Sequence, residues 1–299
     1  MADNDNKLPR GQRPRTASPR WFALPAPPPA ELAIAGQPYR LTRVFKHDFF
    51  AATCLYEREQ QPAGANQADA SDQPAVWPRL VVKFYRAHGF LGVPLGWLGR
   101  ASRNHERAIY QALAGVQGLP RWVAEVGPTG YAIEYIDALP LDHHASTPLG
   151  FFDRLRGIFD AVHARGVAYV DGNKRSNILL DQAGRPFLID FQISLRRRDD
   201  WPWPLRWLSS RIVGYFQGKD LRFLYKHKRK LARSELTAEE EAIFRRKGLL
   251  HWLHDTLTRP YRRLRRAFLR RQHRRGRLVS PTAHLEDHDQ PEKRTWRGS

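Results

Sequence analysis

Cysteine is almost missing from this chain: of 299 residues only Cys54 carries a thiol. No internal disulfide can form, and a cysteine-built zinc site is excluded. A lone cysteine suits a reducing compartment. Long apolar runs are missing too, since no stretch approaches the ~20 residues that a membrane-spanning helix needs. The amino-terminal stretch MADNDNKLPR carries acids where a secretion signal has a basic segment followed by an apolar one. These absences predict a cytoplasmic protein, free or peripheral at the inner face of the membrane. Acidic residues are scarce beside basic ones, 30 against 50, for a formal net charge of +20. No internal repeat is present. What remains is ample for a core: 41% hydrophobic and 11% aromatic residues exclude wholesale disorder.

The charge is unevenly placed. Residues 221–277 hold 19 Lys/Arg and 5 Asp/Glu, most of the excess, so the middle of the chain need not meet a polyanion at all. Residues 1–38 are rich in Pro and Arg and contain PAPPPA, which predicts a flexible or polyproline arm. Strands are predicted at 40–45, 49–57, 79–86, 122–126 and 131–136, five in all. Residues 58–78 are small and polar and predict a disordered loop. A helix is expected at 102–114, from the spacing of Ile109 and Leu113, and another at 149–165, where Phe152, Leu155, Ile158, Phe159 and Val162 share a side. Two short strands flank a turn at Gly184, the second ending at Asp190. From Trp201 onward the pattern is helical and basic, and Thr237 with Glu240 forms a capping box for a helix at 238–247. The glycines at 89–99 predict a packing or membrane-facing insertion.

The polar residues that interrupt apolar segments carry the chemical signal. Lys83 sits inside a strand and Glu106 in the next helix. Asp171 and Asn177 flank a loop, and Asp190 ends the apolar run PFLID, where a charge is costly unless partnered. One cation, a helix carboxylate to hold it, a carboxylate for an attacking hydroxyl and two oxygen donors for a hard metal ion make up what phosphoryl transfer needs. Its transition state calls mostly for positioning and charge neutralisation.

In order and spacing the set resembles the protein-kinase-like superfamily, in particular the compact bacterial branch with RIO-like and lipopolysaccharide-core sugar kinases. VVKFYR, NHERAIYQAL, YAIEYI, HARGVAYVDGNKRSNILL and FLIDFQ carry the resemblance, over about residues 40–195. It implies an α+β, two-lobed fold: a small lobe at 39–137 with a five-stranded antiparallel sheet and one helix, a larger helical lobe at 138–258, and a basic helix and tail at 259–299. It implies that Lys83 contacts the ATP α- and β-phosphates and that Glu106 orients it. Glu134 and Ile136 would offer backbone groups to adenine. Asp171 would align the acceptor hydroxyl, Lys174 (or Arg175) would neutralise the γ-phosphate, and Asn177 and Asp190 would hold Mg²⁺.

The chain departs from the family pattern in places. KHDFFAAT stands where a G-x-G-x-x-G is usual, Tyr169-Val170-Asp171 replaces His-Arg-Asp, the gap from Asp171 to Asn177 is one residue longer, and no A-P-E follows Asp190. The expected activity is an ATP- and Mg²⁺-dependent phosphotransfer to a hydroxyl-bearing acceptor, a protein Ser/Thr or a glycolipid sugar. A pseudokinase, binding without turnover, is one alternative, and a basic nucleic-acid-binding protein acting through residues 221–277 is a second. Residues 259–277, with ten arginines in nineteen positions and Tyr261, Leu264 and Phe268 on one side, suit an anionic membrane surface. Nucleic acid is the least favoured partner for them.

Overall fold

A computed structural model describes residues 22–59, 77–90 and 92–245, together with Ala267 and Arg271. The expected loop at 58–78, apart from its ends, and the basic helix at 259–277, apart from those two residues, lie outside the described residues.

The first part of the chain is an antiparallel sheet of strands β1 (Glu31–Ile34), β2 (Gln37–His47), β3 (Ala51–Arg58), β4 (Arg79–Tyr85), β5 (Trp122–Val126) and β6 (Gly130–Glu134). Their order is β1-β2-β3-β4-β6-β5. That is six strands rather than five, and it corrects the expected arm over residues 22–38, residues 1–21 lying outside the described residues. Residues 31–34 are paired, Ile34 opposite Gln37, and Phe22 and Ala23 just before them are buried. The two-residue link Ala35-Gly36 has φ of 49° and 76°, the backbone of a tight hairpin turn usually signalled by Asn-Gly. With Ala in the first place that signal is absent.

Between β4 and β5 runs helix α1 (Gly96–Ala112), which starts six residues earlier than its apolar spacing predicts. Its first turn uses the glycine-rich stretch as a packing contact. A Cβ on Gly99 would stand 2.2 Å from the carbonyl oxygen of Arg86, so only glycine lets the helix come this close to the end of β4.

Strand alternation then divides the side chains of β4. Leu80, Val82 and Phe84 enter one apolar cluster with Val44, Cys54 and Tyr56. Lys83 and Tyr85 face the other way, toward α1. On α1, Glu106, Ile109 and Tyr110 are buried along one stripe, the i, i+3, i+4 spacing of a packed helix face.

The rest of the described chain is helix-rich. Strand β7 (Ala138–Pro140) leads to α2 (Phe151–Ala164), then β8 (Val167–Ala168), β9 (Ile178–Asp181), β10 (Pro186–Leu188), β11 (Leu195–Arg196), the 29-residue α3 (Trp203–Leu231) and α4 (Ala238–Arg245). β9 pairs with both β7 and β10, and β8 with β11. The capping box forms: the Thr237 hydroxyl accepts from the N–H of Glu240 at 3.3 Å, and the Glu240 carboxylate from the N–H of Thr237 at 2.9 Å. One apolar cluster joins α1, α2, β8 to β10 and α3. Through it runs a column of rings, Tyr110–Phe191 at 5.4 Å, Phe191–Tyr169 at 5.1 Å and Tyr169–Phe159 at 5.9 Å. The sheet region and the helical region therefore share a core. The architecture is an antiparallel sheet with one covering helix, followed by a helical region.

Candidate active site

Lys83 lies directly opposite Tyr131 in the β4–β6 pairing, so Lys83, Tyr85 and Tyr131 share one face of the sheet. Glu106 descends onto that face from α1 and is fully buried. An isolated buried carboxylate costs far too much to persist, and here three donors satisfy it. Tyr131 Oη donates to Oε2 at 2.7 Å, Tyr85 Oη donates to the same oxygen, and Lys83 Nζ stands 3.0 Å from Oε2 and 3.3 Å from Oε1. Burial first, and the Glu106 carboxylate second, hold both tyrosine hydroxyls far above the usual tyrosine range, so they remain donors.

The Lys83 ammonium has a second partner. Asp190 Oδ1 lies at 2.8 Å, brought from a point 107 residues along the chain. Burial alone would depress the lysine, but the Asp190 and Glu106 charges outweigh it, so the amine stays protonated with its pKa raised. On Asp190 burial pushes the carboxyl up and Lys83 pulls it down harder, with help from Lys46 and Lys174. The net result is about 2. Lys46 closes β2 and stands 2.9 Å from Asp48 Oδ2.

A second cluster lies on the loop after β8. Asp171 Oδ2 accepts from Asn177 Nδ2 at 2.9 Å and meets Lys174 Nζ at 2.9 Å. Both bonds fall on one oxygen, Oδ2. Burial pushes the Asp171 carboxyl up, against the pull of Lys174 and Asn177 and with the push of Asp190. The clusters adjoin, because Ile189, next to Asp190, donates its N–H to the carbonyl of Asn177 at 3.0 Å.

The backbone at this junction is strained. Val170 has φ of 71° and Asp190 of 62°, the left-handed region that L-residues avoid, β-branched valine most of all. Such residues cost about 1–3 kcal/mol and persist where the surroundings over-determine them. At Val170 the determinant is Asp220. Its buried carboxylate accepts the N–H of Tyr169 at 2.7 Å and of Val170 at 2.8 Å, and also touches His163 Nε2 at 3.1 Å. Sequence reasoning passed over Asp220, Tyr85 and Tyr131. Asp220 had a signal, as the single acid in the basic, 29-residue α3. The tyrosines had none beyond their period-two relation to Lys83.

Glu134 and Ile136 stand apart from these clusters, half-buried at the end of β6. The Glu134 N–H donates to the carbonyl of Arg121 at 2.9 Å, and the Ile136 carbonyl accepts from Ala138 at 2.9 Å. The turn between β2 and β3, where a glycine-rich loop was looked for, is closed on itself. Asp48 Oδ1 accepts the N–H groups of Phe50 at 2.8 Å and Ala51 at 2.9 Å. The buried Arg86 guanidinium lies 4.0 Å from the centre of the Phe49 ring and donates to the Phe49 carbonyl at 3.0 Å.

For a metal ion the oxygens of Asn177 and Asp190 are the hard donors on hand, and the described residues contain no cluster of three or more His, Cys, Asp or Glu side chains fit to hold one unaided. That donor set suits Mg²⁺, which is commonly held by one or two protein oxygens together with substrate phosphates and water.

No protein-family model and no curated protein matches the chain. Among solved structures it is similar to Rio2 kinase from Chaetomium thermophilum, both in an ADP/Mg²⁺-phosphoaspartate complex and in a second crystal structure. Each match has 16% identity and a TM-score of 0.46 over 66% of this chain. The chain spans 57% and 58% of the length of those two proteins.

Proposed function

We propose that this protein is a Mg²⁺-dependent phosphotransferase that moves the γ-phosphoryl group of ATP to a hydroxyl acceptor. The observation that carries the reading is the Lys83 ammonium held between Glu106 and Asp190, at 3.0 and 2.8 Å. A buried cation anchored on one carboxylate and aimed at a second, solvent-reachable one is organised to receive polyphosphate beside a metal ligand.

In this reading Lys83 neutralises the α- and β-phosphates, and Tyr85 and Tyr131 fix Glu106 so that the amine cannot swing away. Asn177 and Asp190 would hold Mg²⁺, which when bound supplies neutralisation of phosphate charge. Asp171 Oδ1 takes the proton of the acceptor hydroxyl as its oxygen bonds to the γ-phosphorus and the bond to the ADP oxygen breaks. Lys174, 2.9 Å from Asp171, offsets charge on the transferred group. The raised Asp171 carboxyl makes it a better base than an ordinary aspartate. Absence of a peptide-binding segment after Asp190 favours a sugar hydroxyl, such as that of a lipopolysaccharide core, over a protein Ser/Thr.

One observation favours the alternative, nucleotide binding without turnover. The amides of Phe50 and Ala51 are spent on Asp48, so that turn does not offer them to phosphate as a glycine-rich loop would. Radiolabelled ATP incubated with Mg²⁺ and separated lipid, sugar-polymer and protein fractions tests both. The enzyme labels one fraction, and Asp190→Ala and Lys83→Met abolish the label. Stabilisation by ATP with Mg²⁺ but no label in any fraction would establish the binding module instead.

A further inference from the structure

The first three turns of α3, Trp203 to Val213, are inside out. Helices on a protein surface bury their apolar stripe and expose polar residues. Here the inward positions hold Ser209 and Val213, and further along Asp220, whereas Trp203 is 71% exposed, Trp207 54%, Leu208 47% and Ile212 42%. Trp201, just before the helix, is exposed as well. At 100° per residue Trp203, Trp207, Arg211, Leu208 and Ile212 span the outward half of the helix in that order. The patch runs about 14 Å along the axis, from Trp203 to Ile212, at 1.5 Å per residue.

Its charge is of one sign. Arg206 and Arg211 are exposed on the helix. Cations also lie over the rings, Arg211 at 5.3 Å from the centre of Trp207, Arg198 at 5.2 Å from Trp201 and Lys219 at 5.1 Å from Tyr215. The nearby acids are already engaged, Asp199 by Arg197 at 2.8 Å and Asp200 by Arg198 at 3.3 Å. Asp220, the only acid of α3, points inward. The partner must therefore accept indole and aliphatic side chains and supply anions at the same depth. The Arg-rich segment at 259–277 cannot do so, because it carries the same sign of charge.

We propose that this face of α3, through Trp203, Trp207, Leu208 and Ile212 with Arg211, lies in the headgroup layer of an anionic lipid bilayer. Tryptophan favours the boundary between water and hydrocarbon, where its ring is buried and its N–H stays wet. Arginines alternating with apolar residues run their stems along the apolar layer and leave the guanidinium among lipid phosphates. No helix among the described residues is long and apolar enough to cross a membrane, so the contact is peripheral. The proposal does not depend on turnover at the candidate site, and its test is separate from the labelling experiment.

Co-sedimentation of the full chain with vesicles of equimolar phosphatidylglycerol and phosphatidylcholine, and with phosphatidylcholine alone, reads it directly. The native chain is expected to bind the anionic vesicles. The charge-neutral triple substitution W203S/W207S/I212S should weaken binding about tenfold or more, and R211Q should weaken it on the anionic vesicles only. Brominated lipid should quench the tryptophan emission of the native chain, and W203F/W207F should lose most of that quenching while keeping the fold by circular dichroism. The proposal is overturned if the triple variant binds as tightly as the native chain, since the basic tail would then suffice. It is equally overturned if the native chain ignores anionic vesicles or shows no quenching. A solution dimer that dissociates in the triple variant would give the face to a second copy and overturn it too.

Discussion

Replacing Asp220 tests whether a residue remote in sequence sets the geometry of the candidate site. Its carboxylate is fully buried and accepts two backbone N–H groups, at 2.7 and 2.8 Å, from the two residues preceding Asp171. Hydrogen bonds to a charged group contribute about 1.5–3 kcal/mol each. Val170 is held at a positive φ that costs about 1–3 kcal/mol if not enforced. Asp220→Ala leaves two buried donors unpaired and lets Val170 relax, so an expected loss of about 3–5 kcal/mol follows. That is a large share of the ~5–15 kcal/mol typical of a domain. Asp220→Asn keeps one acceptor oxygen but sets its amide N–H₂ against the other backbone N–H, for a smaller loss of about 2 kcal/mol. Relaxation of the loop moves Asp171, and a shift near 1 Å lowers turnover by about 100-fold. Urea unfolding followed by circular dichroism gives the stability term, and ADP release gives the rate. Should Asp220→Asn match the native chain in both, the clamp has no role and the reasoning fails.

Other outcomes follow from the same contacts. Because Lys174 pulls the Asp171 carboxyl down against burial, Lys174→Met should move the acid limb of the pH–rate profile to higher pH, whatever it does to the maximum. An unmoved limb would remove Asp171 as the base. His227 donates Nε2–H to the Gly172 carbonyl at 2.8 Å, and burial first, nearby cations second, lower its pKa from 6.5 to about 4. Between those values the unfolded chain takes up the proton first, so stability falls as pH drops through that window and His227 adds no further slope below it. His227→Gln, scanned by urea titration across the window, should lose that slope. Lys228, almost wholly buried, joins Asp153 at 3.0 Å to Glu240 at 2.8 Å. Lys228→Ala should cost about 1–3 kcal/mol, with amide exchange rising first in α4.

On the proposed reading, the closed turn between β2 and β3 bears on how nucleotide would be held. In this chain the tip is fixed from three sides, by Asp48 beneath the amides, by Arg86 against Phe49, and by Phe49 against Phe90 at 5.1 Å between ring centres. What flexible glycines supply by approach of backbone to phosphate has no counterpart there. Charge on phosphate would fall instead to lysines, with Lys83 in contact with Asp190 and Lys46 and Lys174 near enough to lower its carboxyl.

Much of the fold was legible because it rests on local pattern. The strands at 79–86 and 131–136, the helix at 149–165 and the capping box at Thr237 need only alternation, 3.6-residue spacing and a hydroxyl three residues before a carboxylate. The first hairpin was not legible, since an Ala-Gly turn carries a weaker signal than the Asn-Gly its backbone favours. The inverted face of α3 was equally hidden, because helical periodicity identifies a stripe without saying which side is wet. The sequence by itself determined which residues had to be explained: a lysine, an aspartate and a glutamate inside apolar runs cannot stay charged without partners. That Lys83, Glu106 and Asp190 are one another's partners, that two tyrosines complete the set, and that Asp220 reaches back some fifty residues to brace Val170 were decided by tertiary structure alone. Burial penalties act locally on each residue, whereas the choice of partner depends on which distant segments the packed core brings within 3 Å, and no local spacing encodes that.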